Sequence, residues 1–136
     1  MSLSVRHPPR LPVPLILSLI CMSAAAQTAP APEASAAARG QRLFLRCASC
    51  HDITGSGAAR NGPPLRGVVG RQVASVAGYG YSESLARQNF VWDEARLDAW
   101  LERPTSIAPG TAMAFEGMPA AADRRAVIAY LKTLAP

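Results

Sequence analysis

Five adjacent residues in the first half of the chain have the types and spacing of a metal-centre attachment site. Cys47 and Cys50 are separated by two residues, and His51 follows directly. A Cys-x-x-Cys-His pentad is the attachment signature for c-type haem, in which both thiols add to the vinyl groups and the histidine ligates the iron. One turn of backbone brings both sulfur atoms to one edge of the porphyrin, and the next residue places its imidazole beneath the iron. The pentad therefore forms a complete attachment site.

Two other kinds of site use a Cys-x-x-Cys pair, and chance occurrence is a third explanation. A structural zinc site needs a second cysteine pair or a Cys/His set, and the only other cysteine, Cys21, lies in a segment that we expect to be removed. A thioredoxin-like dithiol follows a strand and begins a helix, whereas this pair follows a helical pattern. The sequence favours haem over all three.

Residues 1–26 have the pattern of a secretory signal peptide. Arg6 and Arg10 precede a mostly apolar stretch, and small residues at 23–26 offer a cleavage site before Gln27. The apolar stretch is short and contains two prolines, so it is a poor membrane span. We therefore predict cleavage and a soluble periplasmic protein, and an uncleaved membrane anchor is the alternative.

Cleavage of 26 of the 136 residues would leave 110, the size of one small domain. Loss of two of the 14 basic residues would leave 12 against nine acidic ones, a formal charge of +3. These basic residues are scattered, without a run or interleaved aromatic residues, which argues against nucleic-acid binding. A domain of this size buries a limited share of its surface, and a porphyrin would add to its core.

Apolar periodicity predicts helices at both ends of an ordered domain over 37–136, after a flexible Ala/Pro-rich leader over 27–36. The first helix carries Gly40 and Phe44 on one face and leads into the pentad. A glycine there indicates close contact with another helix, although a tolerated glycine is the simpler explanation. The last helix spans about 120–134, and its apolar face repeats at i, i+3, i+4 and i+7 through Val127, Tyr130, Leu131 and Leu134. We expect the two helices to cross.

Between these helices, glycine and proline interrupt any regular pattern over 53–80. A loop of this length in a compact domain normally wraps something, and haem is the obvious candidate. A short helical turn is predicted around 82–87. Asp93 is a plausible N-cap for a further helix, which Pro104 should end.

A single histidine would leave the other side of the iron open. Two methionines remain after the signal peptide, Met113 and Met118. A methionine beside a helix is more often core filler than a ligand, so the residues alone leave both open.

The segment 109–117, Pro-Gly-Thr-Ala-Met-Ala-Phe-Glu-Gly, resembles the methionine-ligand loop of class I cytochromes c, in the mitochondrial and bacterial c2-like branch. The resemblance covers the chain from about residue 39 to its end. Other matching positions, in order, are Gly40, Phe44, Gly62-Pro63, Gly70-Arg71, Gly78-Tyr79-Gly80-Tyr81, Trp92, Trp100-Leu101-Glu102-Arg103-Pro104 and Ile128-Ala129-Tyr130-Leu131-Lys132. The resemblance implies an all-α class I cytochrome c fold, with terminal helices crossing around a covalently bound haem and long loops wrapping it.

The resemblance also assigns roles to residues. Met113 matches the axial methionine, seventeen residues before Tyr130, and His51 matches the axial histidine. Met118 is followed by proline, as is the ligand in some bacterial relatives, but it stands where the family usually has a core aliphatic residue. Pro63 matches the proline whose carbonyl accepts the ring N–H of the histidine.

Three further residues match those that hydrogen-bond the inner haem propionate: Arg71, Tyr81 and Trp92. A carboxylate drawn into an apolar core needs donors, preferably with positive charge. Without the resemblance, a solvated arginine and two core aromatic residues would be the preferred interpretation.

Two residues depart from the family pattern. Trp100 replaces a tyrosine that usually bonds the methionine sulfur, and Leu85 replaces an asparagine of an internal water network. The lysines that ring the haem edge in mitochondrial relatives are also mostly missing. Lys132 is the only lysine in the chain.

The sequence thus predicts a monohaem, His/Met-ligated carrier of one electron between redox proteins, without enzymatic activity. Its donor and acceptor are unnamed, and we expect a monomer. A haem enzyme or gas sensor would need an exchangeable distal site, and an exported dithiol oxidoreductase would lack visible absorption. An absorption spectrum separates these classes.

Overall fold

Helices at the two ends of the chain frame the fold in the computed structural model, which describes residues 31–56 and 60–135. The helices are α1 (Pro32–Phe44), α2 (Glu83–Ala86), α3 (Glu94–Glu102), α4 (Pro104–Ile107) and α5 (Ala121–Thr133). Within the described ranges the β pairing is one isolated bridge, between Gln72 and Val91. The predicted all-α fold is confirmed. The predicted signal peptide lies outside the described residues.

Helix α1 begins at Pro32, five residues before the predicted start near residue 37. Proline suits the first helical position because a backbone N–H there would have no partner within the helix, so its absence costs nothing. Glu33 favours the positive end of the helix dipole, and the alanines that follow are strong helix formers. Residues 32–36 of the predicted leader are therefore helical. Apolar periodicity missed this turn because alanine alone gives no pattern.

Helices α1 and α5 cross at a glycine, as predicted. A Cβ atom at Gly40 would overlap the carbonyl oxygen of Ala126 and lie 2.9 Å from the Cβ of Tyr130. One turn later, the rings of Phe44 and Tyr130 lie 5.4 Å apart. The absence of a side chain at position 40 therefore lets the two backbones approach closely.

Helix α3 has the predicted start. The carboxylate of Asp93 accepts a 2.7 Å hydrogen bond from the backbone N–H of Arg96, which caps the helix. The predicted stop at Pro104 holds too, but the same proline occupies the first turn of α4. We did not predict α4 because four residues are too few to show periodicity. The predicted turn at 82–87 contains α2.

The long loop between the pentad and α2 folds back onto the helical frame. Gly67 N–H donates to the carbonyl of Leu134 beyond α5, at 2.6 Å. Farther along, Gly70 and Arg71 exchange backbone hydrogen bonds with Trp92, both at 2.9 Å. Side chains from this loop, including Val68, enter the same buried cluster as α2, α3 and α5. Among the described residues, no helix has the length and apolarity that a membrane crossing requires.

Candidate haem-binding site

The cysteine pair follows directly from the end of α1. Cys47 and Ala48 donate their backbone N–H groups to the carbonyl of Phe44, at 2.7 and 3.1 Å. Cys50 and His51 in turn donate to the carbonyl of Cys47, at 3.0 and 2.9 Å. These bonds wind the pentad into a single turn, as the attachment chemistry requires.

Both cysteines of the pair are free and half-buried. Burial raises the pKa of the Cys47 thiol, and the neighbouring Arg46 charge opposes that effect. The Cys47 thiol therefore loses its proton less readily than a solvated cysteine does. Two reduced thiols in one turn are the reactants that thioether attachment needs.

The imidazole of His51 is fixed by its neighbours in the segment that follows. Its Nδ1 lies 2.8 Å from the carbonyl oxygen of Pro63. Because a carbonyl can only accept, Nδ1 carries the proton and Nε2 keeps its lone pair for a metal. Burial lowers the pKa of His51, partly opposed by the bond to Pro63, so the ring is held in its neutral form.

A glycine makes this arrangement possible. A Cβ atom at Gly62 would lie 2.6 Å from Nδ1 and 2.8 Å from Nε2 of His51, closer than such atoms approach. The N–H of Gly62 also donates to the carbonyl of Cys50 at 2.8 Å. Gly62 therefore packs against one side of the His51 ring, and the carbonyl of Pro63 accepts a hydrogen bond from its Nδ1–H.

Asp52 stabilises the start of the loop, a role that was not predicted from the sequence. Its buried carboxylate accepts hydrogen bonds from the hydroxyls of Thr54 at 2.8 Å and Ser56 at 3.2 Å. The bond from the Thr54 hydroxyl is the main reason that the pKa of Asp52 lies below its usual range, and burial opposes it. An Asp-x-Thr sequence after the pentad, typical of side-chain-stabilised turns, was the available signal.

The three predicted propionate-binding residues lie on both sides of α2. Arg71 and Tyr81 precede this helix, and Trp92 follows it. The guanidinium of Arg71 is half-buried and donates to the carbonyls of Pro64 at 2.8 Å and Arg66 at 3.2 Å. Burial lowers its pKa, and the nearby Tyr81 hydroxyl opposes that effect. Trp92 is buried and bonded to Arg71 through the backbone. The arginine is therefore not the freely solvated side chain of the simpler interpretation.

The hydroxyl of Tyr81 lies in a partly buried position. The oxygen accepts a 3.3 Å hydrogen bond from the N–H of Val76. Burial raises the pKa of the phenol, while this bond and the charge of Arg71 lower it. The hydroxyl proton remains available to an acceptor.

The two candidate methionines have different surroundings. Met113 is half-buried and packs against the apolar cluster from an irregular segment. Met118 is 5% exposed, and its N–H donates to the carbonyl of Leu101 at 2.7 Å. Met118 therefore occupies the position of a core aliphatic residue.

The departures from the family pattern are also buried. The rings of Trp100 and Trp92 pack edge to face, with centroids 5.3 Å apart. Leu85 belongs to the same apolar cluster. Both positions that depart from the family pattern therefore belong to the buried apolar core.

A family model described as cytochrome c matches residues 37–135. The chain belongs to the cytochrome c family. It is 44% identical over 106 residues to cytochrome c-type cyt cy of Rhodobacter capsulatus. The aligned region covers 77% of this chain and 52% of that protein, so the chain spans about half the length of this relative. It is 42% identical over 93 residues to cytochrome c2 of Rhodoblastus acidophilus, with 68% of this chain and 86% of the other covered.

A solved structure agrees with the family assignment. Cytochrome cH from Methylobacterium extorquens superposes with a TM-score of 0.67 at 38% sequence identity, covering 71% of this chain and 97% of the other. Cytochromes c are electron carriers that act with redox partner proteins, and the predicted carrier function is confirmed at that level.

The residues present fit the haem c that the family carries. Cys47 and Cys50 supply the two thiols at the attachment spacing, and His51 supplies a half-buried imidazole whose Nδ1 bonds Pro63 and whose Nε2 is left for iron. Over 31–56 and 60–135, no group of three or more His, Cys, Asp and Glu side chains could hold a metal ion. The haem prediction is confirmed.

Proposed function

We propose that this cytochrome c is a periplasmic, single-haem electron carrier in which His51 and Met113 are the two axial ligands. The observation that carries the ligand pair is the bond from His51 Nδ1 to Pro63, which leaves Nε2 as the only ring atom available for metal binding. The contrast between half-buried Met113 and core-packed Met118 supports the second ligand.

When bound, haem supplies one iron that cycles between the ferrous and ferric states. The role of the protein is to fix ligands and exclude water. Pro63 orients the His51 ring and raises its basicity. A methionine sulfur ligand raises the reduction potential of a haem iron. The apolar side chains of Leu85 and Trp100 would raise it further, because burial disfavours the more highly charged oxidised centre.

Arg71, Tyr81 and Trp92 are proposed to hold the inner propionate. Arg71 brings a half-buried positive charge, and Tyr81 brings a hydroxyl whose proton is unused among the described residues. Charge-assisted hydrogen bonds of this kind offset the cost of burying a carboxylate.

The periplasmic location rests on the signal-like residues 1–26, and we propose that these are cleaved. The mature protein would then be a monomer that exchanges electrons with soluble or membrane-bound donors and acceptors. N-terminal sequencing of the red protein from a periplasmic extract tests the cleavage, and size-exclusion chromatography tests the monomer. A start at Met1 in the membrane fraction would replace cleavage with a retained anchor.

An absorption spectrum of the oxidised protein tests the ligand pair. Native protein and Met118→Leu should both show the iron–sulfur charge-transfer band, and Met113→Ala should lose it. Loss of the band in Met118→Leu with retention in Met113→Ala would reverse the assignment.

A further inference from the structure

Arg124 is a buried charge at the start of α5 and has partners on two other segments. Its side chain is 7% exposed. Nε and Nη2 donate to the two carboxylate oxygens of Asp98 on α3, at 2.8 and 3.1 Å. Nη1 donates to the carbonyls of Met118 and Pro119, at 3.0 and 2.9 Å. One guanidinium therefore joins α5, α3 and the end of the segment that carries Met113.

Backbone contacts strengthen the same junction. The N–H of Met118 donates to the carbonyl of Leu101, one of the last carbonyls of α3, which have no partner within the helix. Gly117 lies so close to α3 that a Cβ atom there would overlap the carbonyl oxygen of Glu102. Residues 117–119 are thus fastened to α3 on one side and to Arg124 on the other.

The residues around Met113 have no comparable attachment. Every hydrogen bond that the structure shows for residues 109–116 is local: Thr111 to Ala108 at 3.0 Å, Met113 to the Thr111 hydroxyl at 3.4 Å, and Phe115 to Met113 at 2.9 Å. Apart from the apolar packing of Met113 and Phe115 against the core, the segment is therefore held through its two ends, and Arg124 holds one end.

We propose that Arg124, held by Asp98, is a positioning residue that keeps the Met113 sulfur on the iron. This inference rests on the proposed ligation by Met113. The Met113 sulfur is a neutral ligand at the end of a flexible side chain. When the segment moves away from the iron, an external ligand can therefore replace the sulfur. The guanidinium of Arg124 restricts that movement. Its two charge-assisted bonds to Asp98 fix the guanidinium plane, while Nη1 donates to the backbone carbonyls of Met118 and Pro119.

Imidazole titration of the ferric holoprotein tests the proposal. Binding is followed in every variant by the shift of the main haem absorption band, and also by loss of the iron–sulfur band in the proteins that have it. Arg124→Lys keeps the charge but loses the guanidinium, and its apparent imidazole affinity should rise about tenfold or more, the size expected for losing hydrogen bonds to a charged group. Asp98→Asn should shift the affinity in the same direction by a smaller factor. It keeps the bonds from Arg124 to Met118 and Pro119, and Asp98 is 37% exposed, so this variant should fold even if Arg124→Lys does not.

Asp123→Asn is the matched control. Asp123 precedes Arg124 on α5 and pairs with Arg39 of α1, so its loss weakens the fold without touching the Met113 segment. Its imidazole affinity should stay at the native value while urea unfolding reports any loss of stability. Unchanged affinity in both Arg124→Lys and Asp98→Asn, or an equal rise in Asp123→Asn, would overturn the positioning role. If Met113→Ala binds imidazole no better than native protein, the ligation itself is wrong, and the two failures are distinguishable.

Discussion

The imidazole Nδ1 of His51 lies 2.8 Å from the carbonyl oxygen of Pro63, with Gly62 packed against the same ring. The proton and the orientation of the ring are therefore fixed by the chain itself. Gly62 and Pro63 follow His51 by eleven and twelve residues in the sequence. Their contacts with the ring join the pentad to the next segment and orient the imidazole independently of any second axial ligand.

Replacement of Gly62 tests how tightly the ring is held. Gly62→Ala would force a Cβ atom into the His51 imidazole, so the ring or the segment must move. We expect a loss of about 1 to 3 kcal/mol in the free energy of unfolding, as for other overpacked sites, together with a changed haem spectrum. Gly80→Ala is the control, because a Cβ atom there meets nothing within 4 Å and its φ lies outside the left-handed region. Equal stability of the two variants would argue against the packing role.

The helix crossing predicts a second large effect at a glycine. Gly40→Val should destabilise the holoprotein by about 1 to 3 kcal/mol or more, since the new side chain would overlap the backbone of Ala126. Gln41→Ala changes an exposed position on the same helix and should leave stability within about 0.5 kcal/mol of native protein. Denaturant unfolding measures both. A small effect at Gly40 would mean that the helices can separate at little cost.

Lys132 connects three helices through their ends. Its ammonium lies 2.9 Å from Glu94 of α3 and 3.5 Å from Glu33 of α1. The hydrogen bond to Glu94 raises the pKa of Lys132 above its ordinary value of about 10.4. The folded state therefore binds the proton more tightly than the unfolded state. The stabilisation is complete when the pH is below the pKa of Lys132 in the unfolded state. It is lost as the pH rises through the higher pKa of Lys132 in the folded state.

Lys132→Gln should remove this contribution. We expect the variant to be less stable than native protein at neutral pH and to approach it at alkaline pH, when measured by urea unfolding at several pH values. Hydrogen exchange should also show faster opening of residues 32–36, which the pair with Glu33 helps to hold. A stability difference that is the same at neutral and strongly alkaline pH would contradict the ion-pair explanation.

The features predicted from sequence are those with a local signal. The pentad is contiguous, the glycine at position 40 lies in an apolar periodic face, and Asp93 precedes its helix. The early start of α1 was missed because it depends on alanine propensity and on Lys132, about a hundred residues away. The burial of Arg124 was missed because arginine side chains are usually solvated, although its spacing from Val127 and Leu131 places it on the apolar face of α5. Its burial depends on Asp98, 26 residues earlier, which only the fold brings near.

Electron transfer with partners should depend weakly on salt. Over 104–115, the stretch on both sides of Met113, the sequence contains no charged residue, and the only lysine is paired with Glu94. A weak field gives little steering of partners, so rates should fall less with ionic strength than in lysine-rich members of the family. A Thr105→Lys, Ser106→Lys double variant should steepen the dependence toward an anionic partner. A steep dependence in the native protein would contradict this expectation.

Met113→Ala should keep its covalent haem but lose its redox function. The thioether bonds at Cys47 and Cys50 do not involve the distal ligand, so the variant should remain red. Its iron would take water or another side chain in place of sulfur, and the midpoint potential should fall. Axial ligands span about 0.8 V across haem proteins, and each shift of about 59 mV changes a one-electron equilibrium tenfold, so a fraction of that range would mismatch the carrier to its partners. Redox titration measures the shift, with Met118→Leu as the control that should stay close to native protein. An unchanged midpoint in Met113→Ala, with the iron–sulfur band intact, would show that another residue is the ligand.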